Sequence, residues 1–340
     1  MSTVSHLHLI KQHLWHYFQA INQVSPDNMA SVLAKYFHPH ASIHLPHPFN
    51  HVAGIDDYER KFWRDFLSAF DRPTRREHIL ISGHYDQADW VSVTGEYSGT
   101  FVHDWLGIPA THQLTHIRYG EFYQVVDHQV TACFILFDII DVMQQAGIHL
   151  LPPSLGTTQR FPAPATQDGV VFDAADSSLT KRALTLVEDM IFVGLRDREP
   201  NELISQGAER YWHPHMLWYG PAAIGSTRGI DGFQNWHQQP FIKAFPDRVG
   251  GDHKARFAEG NYVASTGWPS IQATHTGPGW LGLAATGKSV TMRVMDFWRC
   301  QHGKLVENWV FIDIPDLFNQ LGDDLMDRMA LHLQAHNGRG

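Results

Sequence analysis

Asp296 is the acid with the most chemical promise. In the stretch 289–299, SVTMRVMDFWR, side chains of an extended chain alternate between two faces, so Val290, Met292, Val294, Asp296 and Trp298 share one and Arg293 takes the other. The next stretch, 304–313, KLVENWVFID, puts Leu305, Glu307, Trp309, Phe311 and Asp313 on a common face. Two such rows looking inward would enclose an apolar pocket with a few converging polar groups, the usual makings of a small-molecule site. A carboxylate among apolar neighbours has a raised pKa, which suits it to take or give a proton near neutral pH. His275, in a THTG stretch on the preceding strand or loop, is the expected partner that orients the acid or shares its proton. Trp298, Glu307, Trp309 and Trp280, with His237 and Phe241 from a helical stripe, are the expected substrate-binding residues.

The elements that must position these groups occur twice. Tyr36-Phe37-His38-Pro39-His40 recurs as Tyr211-Trp212-His213-Pro214-His215, Gly54-Ile55-Asp56 as Gly229-Ile230-Asp231, and Trp105-Leu106-Gly107 as Trp280-Leu281-Gly282, all at an offset of 175 residues. The offset holds to Asp138-Ile139 and Asp313-Ile314. A period this long exceeds that of solenoid repeats, so each copy is a whole domain with its own core. Residues 1–150 form the first domain, 151–178 a Pro-rich linker, and 179–340 the second domain with a C-terminal extension. Under the offset Glu121 occupies the Asp296 position and Tyr123 that of Trp298; a three-residue gap pairs His103 with His275. Glu121, His103 and Tyr123 are therefore the candidate site of the first domain. Ala132 and Phe134 stand where the second copy has Glu307 and Trp309, which favours the second domain as the active one.

Helices come first in each copy. Ala183, Val187, Met190, Ile191 and Gly194 keep helical spacing after a Ser177-Ser178 cap, and Ser25-Pro26-Asp27 opens a second helix in copy one that ends at the His-Pro-His corner. A third helix begins at Gly54 or Gly229 and carries Tyr58, Phe62, Phe66 and Phe70, or Phe233, His237, Phe241 and Phe245; Pro240 is expected to kink the latter. From about residues 77 and 252 the pattern changes to β alternation, in 90–94, 114–119, 130–137, 289–299 and 304–313. Helices followed by a meander give an α+β fold, with helices on one face of a curved antiparallel or mixed sheet. Residues 322–340 have no counterpart in copy one and read as a terminal helix for packing or dimerisation.

Composition narrows the partners. A net charge of −9 without a basic stripe argues against nucleic acid. No run reaches the length of a membrane span, and the N-terminus lacks a secretory apolar core, so the expectation is a soluble cytoplasmic protein. Cys133 and Cys300 are not equivalent under the offset, which favours packed thiols over a disulfide. Among 24 histidines, His38, His40, His44, His47 and His51 cluster. Copy two lacks His47 and His51, and no His-x-x-x-His with an acid accompanies them, so neither a metal nor another cofactor is expected.

The run from Thr286-Gly287-Lys288 through Met295-Asp296-Phe297-Trp298-Arg299 and Gly303-Lys304-Leu305-Val306-Glu307-Asn308-Trp309, with Asp313 and the Gln320-Leu321-Gly322 ending, resembles the SnoaL-like polyketide cyclase (ester cyclase) family of the nuclear-transport-factor-2-like superfamily. The likeness covers nearly all of 180–322 and, more faintly, 10–145. It implies two tandem cone-shaped α+β domains, each a curved sheet with helices around a deep pocket. It further implies cofactor-free aldol cyclisation with an aspartate as general acid/base, here Asp296, assisted by a histidine, here His275. The superfamily also holds isomerases, dehydratases and non-enzymatic binders. The expected activity is thus proton transfer on a small carbonyl compound in cyclisation, isomerisation or elimination. The alternative is a non-catalytic binder of a hydrophobic metabolite, with paired domains as a pseudo-dimer. The plainer readings are that Asp296 pairs with an arginine such as Arg118 or Arg293, that His275 is a hydrogen-bonding residue, and that Glu307 and Asp313 hold strand ends.

Overall fold

The computed structural model describes residues 6–158, 161–197, 199 and 202–337. It divides into two compact units: one comprises Met1–Leu150, Val170–Phe172 and Asp313–Gly340, the other Leu151–Gly169 and Asp173–Ile312.

In the first unit α1 (His6–Ile21) and α2 (Met29–Tyr36) precede β1 (Phe37–His44) and β2 (His51–Ala53). α3 (Ile55–Tyr58), a π-helical turn at Glu59–Trp63 and α4 (Arg64–Ala69) form one continuous helical segment. Then come β3 (Phe70–Tyr85), β4 (Ala88–Phe101), β5 (Leu114–Val126), β6 (Gln129–Phe137) and α5 (Ile139–Gln145). The sheet order is β2-β1-β6-β5-β4-β3, antiparallel except for the parallel β1–β6 pair. The α1 stripe Ile10, Leu14, Tyr17, Phe18 and Ile21 is buried, as helical spacing of apolar residues requires.

The second unit repeats this plan with α6 (Ser177–Phe192), β7 (Trp212–Tyr219), β8 (Thr227–Arg228), α7 (Gly229–Phe233), a π-helical turn at Gln234–Gln238, α8 (Gln239–Ala244), β9 (Val249–Gly250), β10 (His253–Glu259), β11 (Tyr262–Thr274), β12 (Ser289–Gln301) and β13 (Lys304–Ile312). Its sheet runs β10-β11-β12-β13-β7-β8, with β9 also on β11. The two mixed sheets with their helices are the expected α+β architecture in duplicate. α9 (Ile314–Leu321) and α10 (Leu325–Asn337) group with the first unit, so the boundary drawn at 340 for the second domain shifts to Ile312. α10 buries Leu325 and Met329, and the Asp324 carboxylate of this extension meets His47 Nε2 at 3.0 Å.

Local expectations change in four places. The His-Pro-His motif lies within β1 and β7 rather than at a corner before them. Asn28, not Ser25, occupies the N-cap of α2, and Asp176 caps α6 by accepting from the backbone N–H of Ser178 and Leu179. In copy two the second helix is replaced by short 3-10 turns at Gly194–Arg196 and Ala208–Arg210. Pro240 lies in the first turn of α8, and because the π-helical turn occurs in both copies, proline is not its cause. The stretch 151–169 is no free linker. Phe161 is buried beside Tyr219, Trp309 Nε1 donates to Pro162 O at 2.9 Å, and the Ala165 N–H donates to the Glu307 carboxylate.

Candidate functional site

A cavity of about 770 Å³ opens in the second unit between the sheet and the helical segment, and Met292, Val294, Asp296 and Trp298 line it from β12. This is the row that alternation predicts. The facing row is not the expected one. Asp296 pairs with Val310, Trp298 with Asn308 and Val294 with Ile312, so the even-numbered residues of β13 line the cavity. The cause is a β-bulge: Cys300 pairs with Leu305, but Arg299 pairs with Glu307, two residues further on. A one-residue slip sends every following side chain to the opposite face. Glu307 and Trp309 therefore face away from the cavity. Glu307 is 2 % exposed and forms a buried ion pair with Arg299, besides hydrogen bonds from Tyr219 Oη and Ala165 N. These two expected substrate-binding residues instead hold 161–169 on the outer face of the sheet.

Burial holds the Asp296 carboxyl far above its ordinary 3.8, at about 7; the Asn308 hydrogen bond and the positive charge of Arg256 oppose the rise. Asn308 Nδ2 donates to Asp296 Oδ1 at 3.2 Å and to Phe297 O at 3.1 Å, which orients the acid. The arginines suspected of clamping Asp296 are engaged elsewhere: Arg118 Nη2 meets Asp138 Oδ2 at 2.9 Å, and the Arg293 guanidinium lies 5.0 Å over the Trp268 ring.

The opposite wall comes from the helical segment and β7. His237, on the π-helical turn, stacks on Trp218 at 4.1 Å and neighbours Phe233 and Phe241, all of which line the cavity. Burial, helped by the Arg248 charge, holds the His237 imidazole down at about 3, so it is neutral near pH 7. Its Nδ1 has no hydrogen-bond partner among the described residues, and neither has the indole Nε1 of Trp298. Two polar atoms thus border the cavity unsatisfied, an arrangement that a ligand or water completes. Ser265, directly opposite Asp296 on β11, and Ser270 add hydroxyls.

His275 is not brought to Asp296. It follows β11 ten residues after Ser265, up to roughly 30 Å of extended chain. There it is fully buried against Phe245, with Nδ1 3.2 Å from Thr286 Oγ1. Trp280 packs behind Phe241 and Phe245 and does not line the cavity. Asn308, Ser265 and Arg248 were missed in the sequence. The one available signal was an asparagine amid the apolar residues of β13, at the position of Cys133 in copy one.

The equivalent space in the first unit is filled. Arg75 grips Glu121 in a bidentate pair, Nη1 to Oε1 at 2.8 Å and Nη2 to Oε2 at 2.6 Å, and Tyr123 Oη donates to Oε2 at 2.7 Å. The guanidinium lies 4.0 Å from the Tyr119 ring centre and 4.3 Å from that of Phe18. By strand register Arg75, opposite Tyr97, corresponds to Gly250, opposite Ile271. Tyr119 opposite Phe137 corresponds to Val294 opposite Ile312. One arginine and three aromatics give way to glycine and aliphatics, and a Cβ built on Gly250 meets nothing within 4 Å. That exchange opens the second cavity. His103 is exposed and bonds Ser68 O at 2.9 Å, outside the Glu121 cluster.

Of the clustered histidines, His44 and His51 share Ser42 Oγ and His47 meets Asp324. Among the described residues no group of three or more His, Cys, Asp or Glu side chains is arranged to hold a metal, and no helix is long and apolar enough to cross a membrane.

A duplicated curved sheet backed by a π-interrupted helical segment, with an acid in one apolar cavity, defines a small-molecule pocket fold. The family model for SnoaL-like polyketide cyclases matches residues 16–146 and 200–321, and the chain belongs to that family, with two copies of its domain. Similar solved structures include IdmH from Streptomyces antibioticus (19 % identity, 41 % of this chain and 99 % of that one, TM-score 0.34). TsrD from Streptomyces laurentii is another (17 %, 41 % and 97 %, TM-score 0.34). A third is a nuclear-transport-factor-2-like protein from Burkholderia xenovorans (14 %, 42 % and 97 %, TM-score 0.33). Comparison with curated proteins gives no match.

Proposed function

We propose that the second domain is a cofactor-independent acid/base enzyme acting on a small carbonyl compound, with Asp296 as the proton-transfer group. The observation that carries this is one carboxyl, raised to about 7, in the wall of an otherwise largely apolar cavity. Ionised Asp296 removes a proton alpha to the carbonyl, and the enolate oxygen accepts from the Trp298 indole N–H. Asn308 fixes the carboxylate's orientation, and protonated Asp296 returns the proton in the cyclised, isomerised or eliminated product. General acid/base transfer of this kind contributes about 10²–10⁴-fold.

Exchange of the α-protons of 2-tetralone in deuterated buffer, followed by NMR, tests the step. Asp296→Asn keeps the shape and removes the base, and exchange should fall at least about 100-fold. Undiminished exchange in that variant refutes the assignment. The absence of a histidine beside Asp296 favours a second reading, a non-catalytic binder of an apolar metabolite. Ligand binding by calorimetry that is equal in wild type and Asp296→Asn, with no proton exchange in either, selects it.

A further inference from the structure

We propose that the second-domain cavity selects a carboxylate-bearing ligand, an apolar carbonyl compound whose anionic end is held by Arg248 and Arg196 at the solvent side. The proposal rests on the acid/base reading for the carbonyl end of the ligand, and on independent observations for the anionic end.

The cavity has two distinct ends. Trp218, Phe233, Phe241, Met292, Val294 and Val310 form a buried apolar wall. Phe192 and Val249, by contrast, are 46 % and 60 % exposed and mark the mouth. Arg196 follows Phe192 by one helical turn and Arg248 precedes Val249, so both guanidinium-bearing residues of the lining belong to this mouth. Their guanidinium groups are laid against lining rings: Arg248 lies 6.0 Å over Phe241, and Arg196 lies 5.9 Å over Phe192. Arg256, 5.0 Å from the same Phe192 ring, adds a third positive charge just behind the lining.

The only carboxyl in the lining is Asp296, and its raised pKa leaves it half-protonated near neutral pH. The electrostatic balance of the cavity is therefore positive, and with apolar walls excluding water such a charge acts strongly on a bound ion. A cationic ligand is repelled, and a neutral one gains nothing from the arginines. A carboxylate matches the fork of N–H donors that guanidinium presents, and each guanidinium has five, so existing partners do not exhaust it. Copy one supplies the contrast. Residues 21 and 73, equivalent to Arg196 and Arg248, are Ile21 and Pro73, and its buried guanidinium is already neutralised by Glu121. Arginines at the mouth accompany the open cavity and are missing from the filled one.

The test compares 2-naphthoate with its neutral isostere 2-naphthamide by calorimetry on the full chain at pH 8. The acid should bind roughly tenfold tighter than the amide, as for a charge-assisted pair. Arg248→Gln should remove most of that preference, Arg248→Lys should retain part of it, and raising the salt to about 0.5 M should weaken it. The lysine variant separates lost charge from lost folding. Equal affinity for acid and amide overturns the proposal, as does failure of both to bind, or a preference that survives in the Arg196→Gln, Arg248→Gln double variant. Asp296→Asn should keep the preference for the acid. If it does so while α-proton exchange is undiminished, the acid/base reading falls and the anion site stands.

Discussion

Asp296 is a liability for folding, and Asp296→Asn should stabilise the protein in a pH-dependent way. Raising a carboxyl from 3.8 to about 7 penalises its ionised form by about 4 kcal/mol, at about 1.4 kcal/mol per pH unit. Because the carboxyl borders a cavity that water enters, about half of that, roughly 2 kcal/mol, is the better expectation. The sign follows from proton counting. Between pH 4 and 7 the folded state holds the proton and the unfolded chain has released it, so stability falls as pH rises through this window and stays low above it. Asparagine keeps the shape and does not titrate. Urea unfolding followed by tryptophan fluorescence should therefore show no difference between the proteins near pH 4, and an advantage for Asp296→Asn of about 2 kcal/mol at pH 8. A difference that does not change with pH, or an asparagine variant less stable than wild type at pH 8, refutes the argument that burial without an ionic partner sets this pKa.

Other expectations follow from the same geometry. Arg75→Met leaves Glu121 buried without its partner and should cost about 3–5 kcal/mol by urea unfolding, whereas adding Glu121→Leu should recover much of it; a loss below about 1 kcal/mol contradicts the buried pair. Glu307→Ala should release 161–169 and create a new site of limited proteolysis there, while affinity for 2-naphthoate stays within about twofold. Trp298→Phe preserves the wall but removes the indole donor, so turnover of 2-tetralone exchange should fall about tenfold with little change in binding.

The tandem repeat is written plainly in the chain, because equivalent turns and core positions recur at one constant offset. Strand alternation likewise places Asp296 and Trp298 correctly on β12, since a period of two needs no tertiary information. The errors begin where a residue's face depends on something other than its own strand. Glu307 and Trp309 turn outward because the bulge at Arg299 and Cys300 alters the pairing, and no residue type in that hairpin announces it. His275 lies in the predicted strand neighbourhood but at its far end, because β11 runs on to Thr274, well past Ser265. That Arg75 fills the first cavity is equally hidden: its partner Glu121 is 46 residues away and the pair meets only through the sheet.

The bulge in β12 also decides which side chains evolution can recruit for chemistry. Removing one residue from this hairpin would rotate Glu307 and Trp309 toward the hollow and turn Asn308 and Val310 outward. A single codon's worth of backbone thus separates two different reagent sets, and insertions or deletions there would rewrite the enzyme's repertoire faster than any point substitution.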